Sequence, residues 1–211
     1  MEPTATLSFW SLLMDGGYIM IPLAILLIVT IYVFTERTLV INRAAKEDRY
    51  FMDRIRDYVH DGDIESAFNL CKKTDTPNAR LIQKGLSRIG RPMNDVLVAI
   101  ENTGNIEVAQ LGKGFPWLST TAAGAPMLGF LGTVVGMIQA FFSLASAGTS
   151  ANITVLSSGI YQALVTTVAG LVVGILALFA YNYLVARVNR VMNSMEAKTM
   201  EFMDLLNEPA A

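Results

Sequence analysis

From Gly114 to Ala186 the chain runs for 73 residues without one Asp, Glu, Lys, Arg or His. No water-soluble domain of ordinary composition tolerates so long a charge-free segment, because about a quarter of its residues are charged. The segment is broken once, by the polar stretch Ser146-Ala-Gly-Thr-Ser-Ala-Asn-Ile-Thr154. The two arms, about Leu118–Ala145 and Leu156–Ala186, each exceed the ~20 residues a helix needs to cross a bilayer. A membrane hairpin is therefore expected, with surplus helix beyond the hydrocarbon or a tilt. A third apolar run, Gly16–Phe34, holds 19 residues and no charge. At 1.5 Å per residue it covers ~28 Å, close to the ~30 Å hydrocarbon core. Residues 1–15 carry no Lys or Arg and no small-residue cleavage site follows, so a retained helix is expected, not a cleaved signal. Pro22 sits near its start, where a missing N–H costs little.

The charged residues orient these spans. Residues 1–17 and the 146–155 turn contain no Lys or Arg, whereas segment 36–113 contains 13 and the tail adds Arg187, Arg190 and Lys198. Lys and Arg near membrane spans are retained in the cytoplasm. The N-terminus and the turn are expected outside, with segment 36–113 and the tail inside.

Segment 36–113 reads as short amphipathic helices. Phe51, Ile55, Tyr58 and Val59 recur at helical spacing, and Asp63 is placed to cap a helix over Ile64–Lys73. Asp75-Thr-Pro77 and Gly90-Arg-Pro92 break the chain, leaving helices over Ala79–Ile89 and Asn94–Ala109. After the last span, Leu184, Val188, Val191/Met192, Met195, Thr199, Phe202/Met203 and Leu206 form an apolar seam, so the helix continues out of the membrane. Its neighbour is either this chain's own helices or another subunit. Lys72-Lys73 read as a solvated face, with a lipid-headgroup contact as the alternative.

In the hairpin, Gly129, Gly132 and Gly136 share one helix face. Gly159, Ala163, Thr166/Thr167, Gly170 and Gly174 form a second small-residue face on the other arm. Gly132-xxx-Gly136 and Gly170-xxx-Gly174 are spacings that let helix backbones approach closely in lipid. The segments APMLGFLGTVVGMIQAF (125–141) and GIYQALVTTVAGLVVGILALFAYN (159–182) resemble the ExbB/TolQ/MotA family of ion-driven motor subunits. The order of spans and the helical tail match over nearly the whole chain. Three spans rather than four put it nearer ExbB or TolQ than MotA, and nearest ExbB.

The resemblance implies an all-α inner-membrane protein that forms a homo-oligomeric ring, typically a pentamer. The ring surrounds an ExbD/TolR-like single-span protein, and proton flow energises TonB- or TolA-type force transfer to the outer membrane. It implies this organisation: periplasmic N-terminus 1–17, transmembrane helix 18–40, cytoplasmic helical segment 41–113, transmembrane helix 114–147, periplasmic turn 148–155, transmembrane helix 156–186 and cytoplasmic tail 187–211. By the motif, Thr133 and Thr167 match pore-facing threonines close to the partner's membrane aspartate. Pro126 matches a proline near the cytoplasmic mouth, where it would kink the helix. The small residues would pack helices or line the pore. Many members have Glu where this chain has Gln162, which hydrogen-bonds but does not titrate.

The residues themselves add one constraint. Proton relays in membranes use Asp, Glu or His, and neither the hairpin nor Gly16–Thr35 contains any. Either this chain carries no protons, or a partner supplies the carboxylate. Threonine hydroxyls both donate and accept, so Thr133 and Thr167 suit either protonation state of such a group. The blander role is a bond from each hydroxyl to its own helix. No cofactor or metal is expected. With one Cys and one His, and no phosphate-binding loop or nucleophile–base pair, an enzyme is not expected. Segment 36–113, with 13 basic and 12 acidic residues, is no nucleic-acid footprint. Other partners would be a TonB-like protein and membrane lipid.

Overall fold

The structure, a computed structural model, describes residues 16–46, 48, 50–147 and 153–207. Among these there is no β-strand, and three helices are long and apolar enough to cross a membrane. The fold class is all-α, as the charge-free runs require. The helices are α1 (Met20–Ala44), α2 (Phe51–His60), α3 (Ile64–Thr74), α4 (Pro77–Leu86), α5 (Met93–Leu111), α6 (Phe115–Ala147) and α7 (Ile153–Asn207). A short 3-10 turn, Gly17–Ile19, leads into α1. The expected turn at 148–155 and both ends of the chain fall largely outside the described residues.

The chain divides into two compact units. One comprises residues up to Phe34 with Gly114–Asn182, and the other Thr35–Lys113 with the chain from Tyr183 onward. In the first, α1 packs on the hairpin through Met20, Leu23, Leu26 and Leu27 against Ala125, Leu128, Ala169 and Val173. Its outer surface is apolar. Ile28 and Tyr32 of α1, Phe130 and Phe142 of α6, and Val168 and Phe179 of α7 are all more than half exposed. An exterior of this kind is stable only where hydrocarbon or another protein replaces water.

The second unit is a helical bundle with an ordinary core. Ile55, Ile82, Ile100, Leu184 and Phe202 are completely buried. The seam on the C-terminal half of α7 packs on this chain's own helices: Gly85 lies against Phe202 and Ile100, and Gly104 against Leu81 and Met195. The seam ends one residue earlier than its spacing suggested, with Leu205 buried and Leu206 half-buried.

The helix boundaries follow local chemistry. Asp63 accepts from the Ser66 N–H at 3.0 Å and caps α3. Hydrogen bonding from the Ser66 side chain, and then from this N–H, holds its carboxyl below the ordinary range. The break expected at Asp75-Thr-Pro77 is narrower than the sequence indicated. Asp75 ends α3 in the left-handed region (φ 45°). Thr76 then caps α4 at once, accepting from the Ala79 N–H at 3.3 Å, and Pro77 occupies the first turn. A proline there gives up only an N–H that would have had no partner. Thus α4 begins at Pro77, not Ala79, and ends at Leu86, short of Ile89.

Candidate functional site

The two arms of the hairpin run antiparallel and touch along their small-residue faces. Gly174 lies against Pro126, Gly170 against Ala125 and Gly129, Gly132 against Thr166, Gly136 against Ala163, and Gly159 against Ala140. The contact is too close for side chains. A methyl group at Gly170 would stand 2.5 Å from the Ala125 carbonyl oxygen and 2.8 Å from Gly129 Cα. Gly129, Gly132, Gly136, Ala163, Thr166, Gly170 and Gly174 are buried, each facing the other arm.

Pro126 lies inside α6, which continues through it. Its missing N–H leaves the Ala122 carbonyl without its helical donor. Gly174 passes directly over this place: a methyl there would lie 2.6 Å from Pro126 Cγ and 3.1 Å from the Ala122 oxygen. The proline and the glycine are therefore one packing unit on two helices.

Midway along the contact, three polar groups converge. The hydroxyls of Thr133 and Thr167 are hydrogen-bonded to each other across the helix pair. Both also reach the Gly129 carbonyl oxygen, Thr167 at 3.1 Å and Thr133 at 3.3 Å. Two hydroxyls hold two protons, so only two of these three bonds exist at one time. With the Thr133–Thr167 bond made, either Thr133 donates to Thr167 and Thr167 to Gly129, or Thr167 donates to Thr133 and Thr133 to Gly129. The expected bond to the same helix is present for Thr133, four residues back, while the bond of Thr167 to Gly129 crosses to the other arm. Thr166 donates chiefly to Ala163 O at 2.7 Å, with its hydroxyl 3.5 Å from the Gly129 oxygen on the other arm.

Thr133 and Thr167 are half-buried, unlike their glycine neighbours. At 100° per residue, they lie at the edge of the α6–α7 contact away from Leu128, Ala169 and Val173, which meet α1. The hydroxyl pair thus opens on the hairpin face that α1 leaves uncovered. No Asp, Glu, Lys, Arg or His occurs anywhere in this segment.

Gln162 is not part of this cluster. Its amide lies against Gly17, whose φ of +67° sets the turn before α1. Two polar features were not legible beforehand. The Gly129 carbonyl, a backbone group with no sequence signature, is the shared acceptor. Thr121 is 1% exposed and its hydroxyl has no hydrogen-bond partner among the described residues. Among those residues, no three His, Cys, Asp or Glu side chains are grouped so as to hold a metal ion.

Three apolar helices, a close glycine-lined hairpin and a half-buried hydroxyl pair define a multi-pass helical membrane protein with a polar spot on an uncovered face. Comparison with known proteins identifies the class more narrowly. The profile of the MotA/TolQ/ExbB proton channel family matches residues 73–197. A biopolymer transport protein of Synechocystis sp. named ExbB-like 1 is 32% identical over 180 residues, covering 82% of this chain and 69% of that protein. The Tol-Pal system protein TolQ of Haemophilus influenzae is 27% identical over 98% of this chain and 97% of its own length. The biopolymer transport protein ExbB of Neisseria meningitidis is 29% identical over 74% of this chain and 76% of its own. The chain belongs to the MotA/TolQ/ExbB proton channel family.

Proposed function

We propose that this chain is the ring-forming subunit, a pentamer, of a proton-driven motor in the bacterial inner membrane. It encloses an ExbD-like single-span protein and energises TonB-dependent transport across the outer membrane. Its N-terminus is periplasmic, its C-terminus is cytoplasmic, and it performs no covalent chemistry. The observation that carries this reading is the Thr133–Thr167 hydroxyl pair, open on one face of a hairpin that has no acid of its own.

In the first of the two hydrogen-bond arrangements, both lone pairs of Thr133 are free to accept from a protonated carboxyl. When a hydroxyl turns its proton outward, it donates to a carboxylate instead. The pair can therefore hold a partner's acid in either state without itself ionising. A bare aspartate at mid-bilayer costs roughly 2.5–3.5 kcal/mol on insertion scales, and such a surface lowers that penalty. Gln162, against the Gly17 turn, acts here by hydrogen bonding only.

The similarity to TolQ along nearly the whole chain supports a second reading, a subunit serving envelope maintenance with a TolR-like partner. The two readings share the mechanism and differ in cargo. The test of the mechanism is uptake driven by the membrane potential in cells producing Thr133→Val or Thr167→Val. Both variants should still co-purify with the single-span partner and lose uptake. Wild-type uptake by both would remove the hydroxyls from the mechanism and leave a structural scaffold.

A further inference from the structure

In the second unit, a cavity of about 560 Å³ opens between the end of α1 and helices α4 and α5. Four cations line it, and two of them are committed. Arg80 makes a two-pronged bridge to Glu107, Nε to Oε1 and Nη2 to Oε2 at 2.7 Å each, and its Nη1 reaches Asp75 Oδ1 at 2.7 Å. Arg37 pairs with Glu36 and donates to the Gln110 carbonyl at 3.1 Å. The other two, Arg43 and Lys113, have no carboxylate within salt-bridge distance among the described residues. The rest of the wall is partly apolar, including Val40 and Leu111.

Connectivity keeps these two cations close to the hydrocarbon boundary. Lys113 immediately precedes the 73-residue charge-free segment, and Arg43 lies nine residues after Phe34. At 1.5 Å per residue that is ~13 Å, and helical side chains slant back toward the N-terminus, here toward the apolar span. The headgroup layer is ~5–8 Å thick on each side of the hydrocarbon. An arginine side chain spans the remaining distance.

We propose that this cavity binds the phosphate-bearing headgroup of an anionic phospholipid, with Arg43 and Lys113 as its cations and the Arg80–Glu107 bridge as its rigid back wall. The apolar part of the wall and the nearness of the spans favour a lipid over a free phosphate ion. The site needs only membrane residence and does not depend on the proposed motor function.

The test uses the purified full-length protein in mild detergent, with bound lipid counted by native mass spectrometry during titration with phosphatidylglycerol or phosphatidylcholine. Wild type should retain phosphatidylglycerol in preference to phosphatidylcholine, and inorganic phosphate at equal concentration should not displace it. Arg43→Gln/Lys113→Gln should weaken phosphatidylglycerol retention roughly 25-fold, since each cation near an anionic surface contributes about a factor of five. The charge-keeping Arg43→Lys/Lys113→Arg and the remote Lys72→Gln/Lys73→Gln should behave as wild type. Undiminished retention by the neutral pair would overturn the site. So would equal loss in the charge-keeping pair, equal loss in the remote pair, or displacement by inorganic phosphate.

Discussion

A threonine in a membrane helix acquires a role from the place its hydroxyl can reach. Thr133 and Thr167 share the Gly129 carbonyl on an open face, while Thr121 is sealed inside with no partner for its hydroxyl among the described residues. Replacing a buried, unpaired hydroxyl by an isosteric methyl is close to neutral or stabilising. Thr121→Val should therefore keep both assembly and uptake, in contrast to Thr133→Val, and a loss of uptake in both would mean that any polar deletion in α6 is harmful. Cys71 makes a different point. It is 1% exposed, and burial pushes its thiol up to about 12. At pH 8 roughly one thiol in 10⁴ is then a thiolate, the reactive form, so iodoacetamide should label Cys71 only after denaturation. Asp63 carries a pH dependence of known sign. Its carboxyl is lowered on folding, so its contribution is present above the ordinary carboxylate pKa and fades as pH falls through the lowered value. Asp63→Asn keeps an N-cap acceptor and should flatten that part of the acid-denaturation profile.

At the scale of elements, the hairpin depends on backbone approach and the bundle on an ion-paired frame. Gly170→Ala would drive a methyl into the Ala125 carbonyl, and overpacking of this kind typically costs about 1–3 kcal/mol. Gly124→Ala meets nothing within 4 Å. A thermal melt in detergent should show a clear drop for Gly170→Ala and little change for Gly124→Ala. In the bundle, Glu107→Gln should loosen α4 from α5. A fully buried pair loses ~3–5 kcal/mol when broken, but the Arg80 side chain is 35% exposed and Asp75 still holds it, so about 1–2 kcal/mol is expected, read as a lower melting temperature. Much of this architecture was legible in the sequence. Charge-free length marked the spans, and Gly132-xxx-Gly136 with Gly170-xxx-Gly174 marked the faces that meet. The boundary near Pro77 was misjudged because two caps, Asp75 in the left-handed region and Thr76, share adjacent residues, so the turn takes no extra length. The Arg80–Glu107 bridge could not be read at all: the residues are 27 apart in sequence, and nothing local links them.

For the whole molecule, the distribution of charge is the organising fact. Every Lys and Arg lies in segment 36–113 or in the tail, so cysteine labelling from either side should place residues 1–17 and the expected turn at 148–155 together, opposite both. The same distribution leaves the hairpin with hydroxyls and no acid. Proton flux through proteoliposomes therefore tests the central claim most directly. The chain reconstituted alone should be no leakier than empty vesicles, and with its single-span partner it should conduct protons only while the partner's membrane carboxylate is intact. Flux from the chain alone, or flux unchanged after that carboxylate is neutralised, would contradict it.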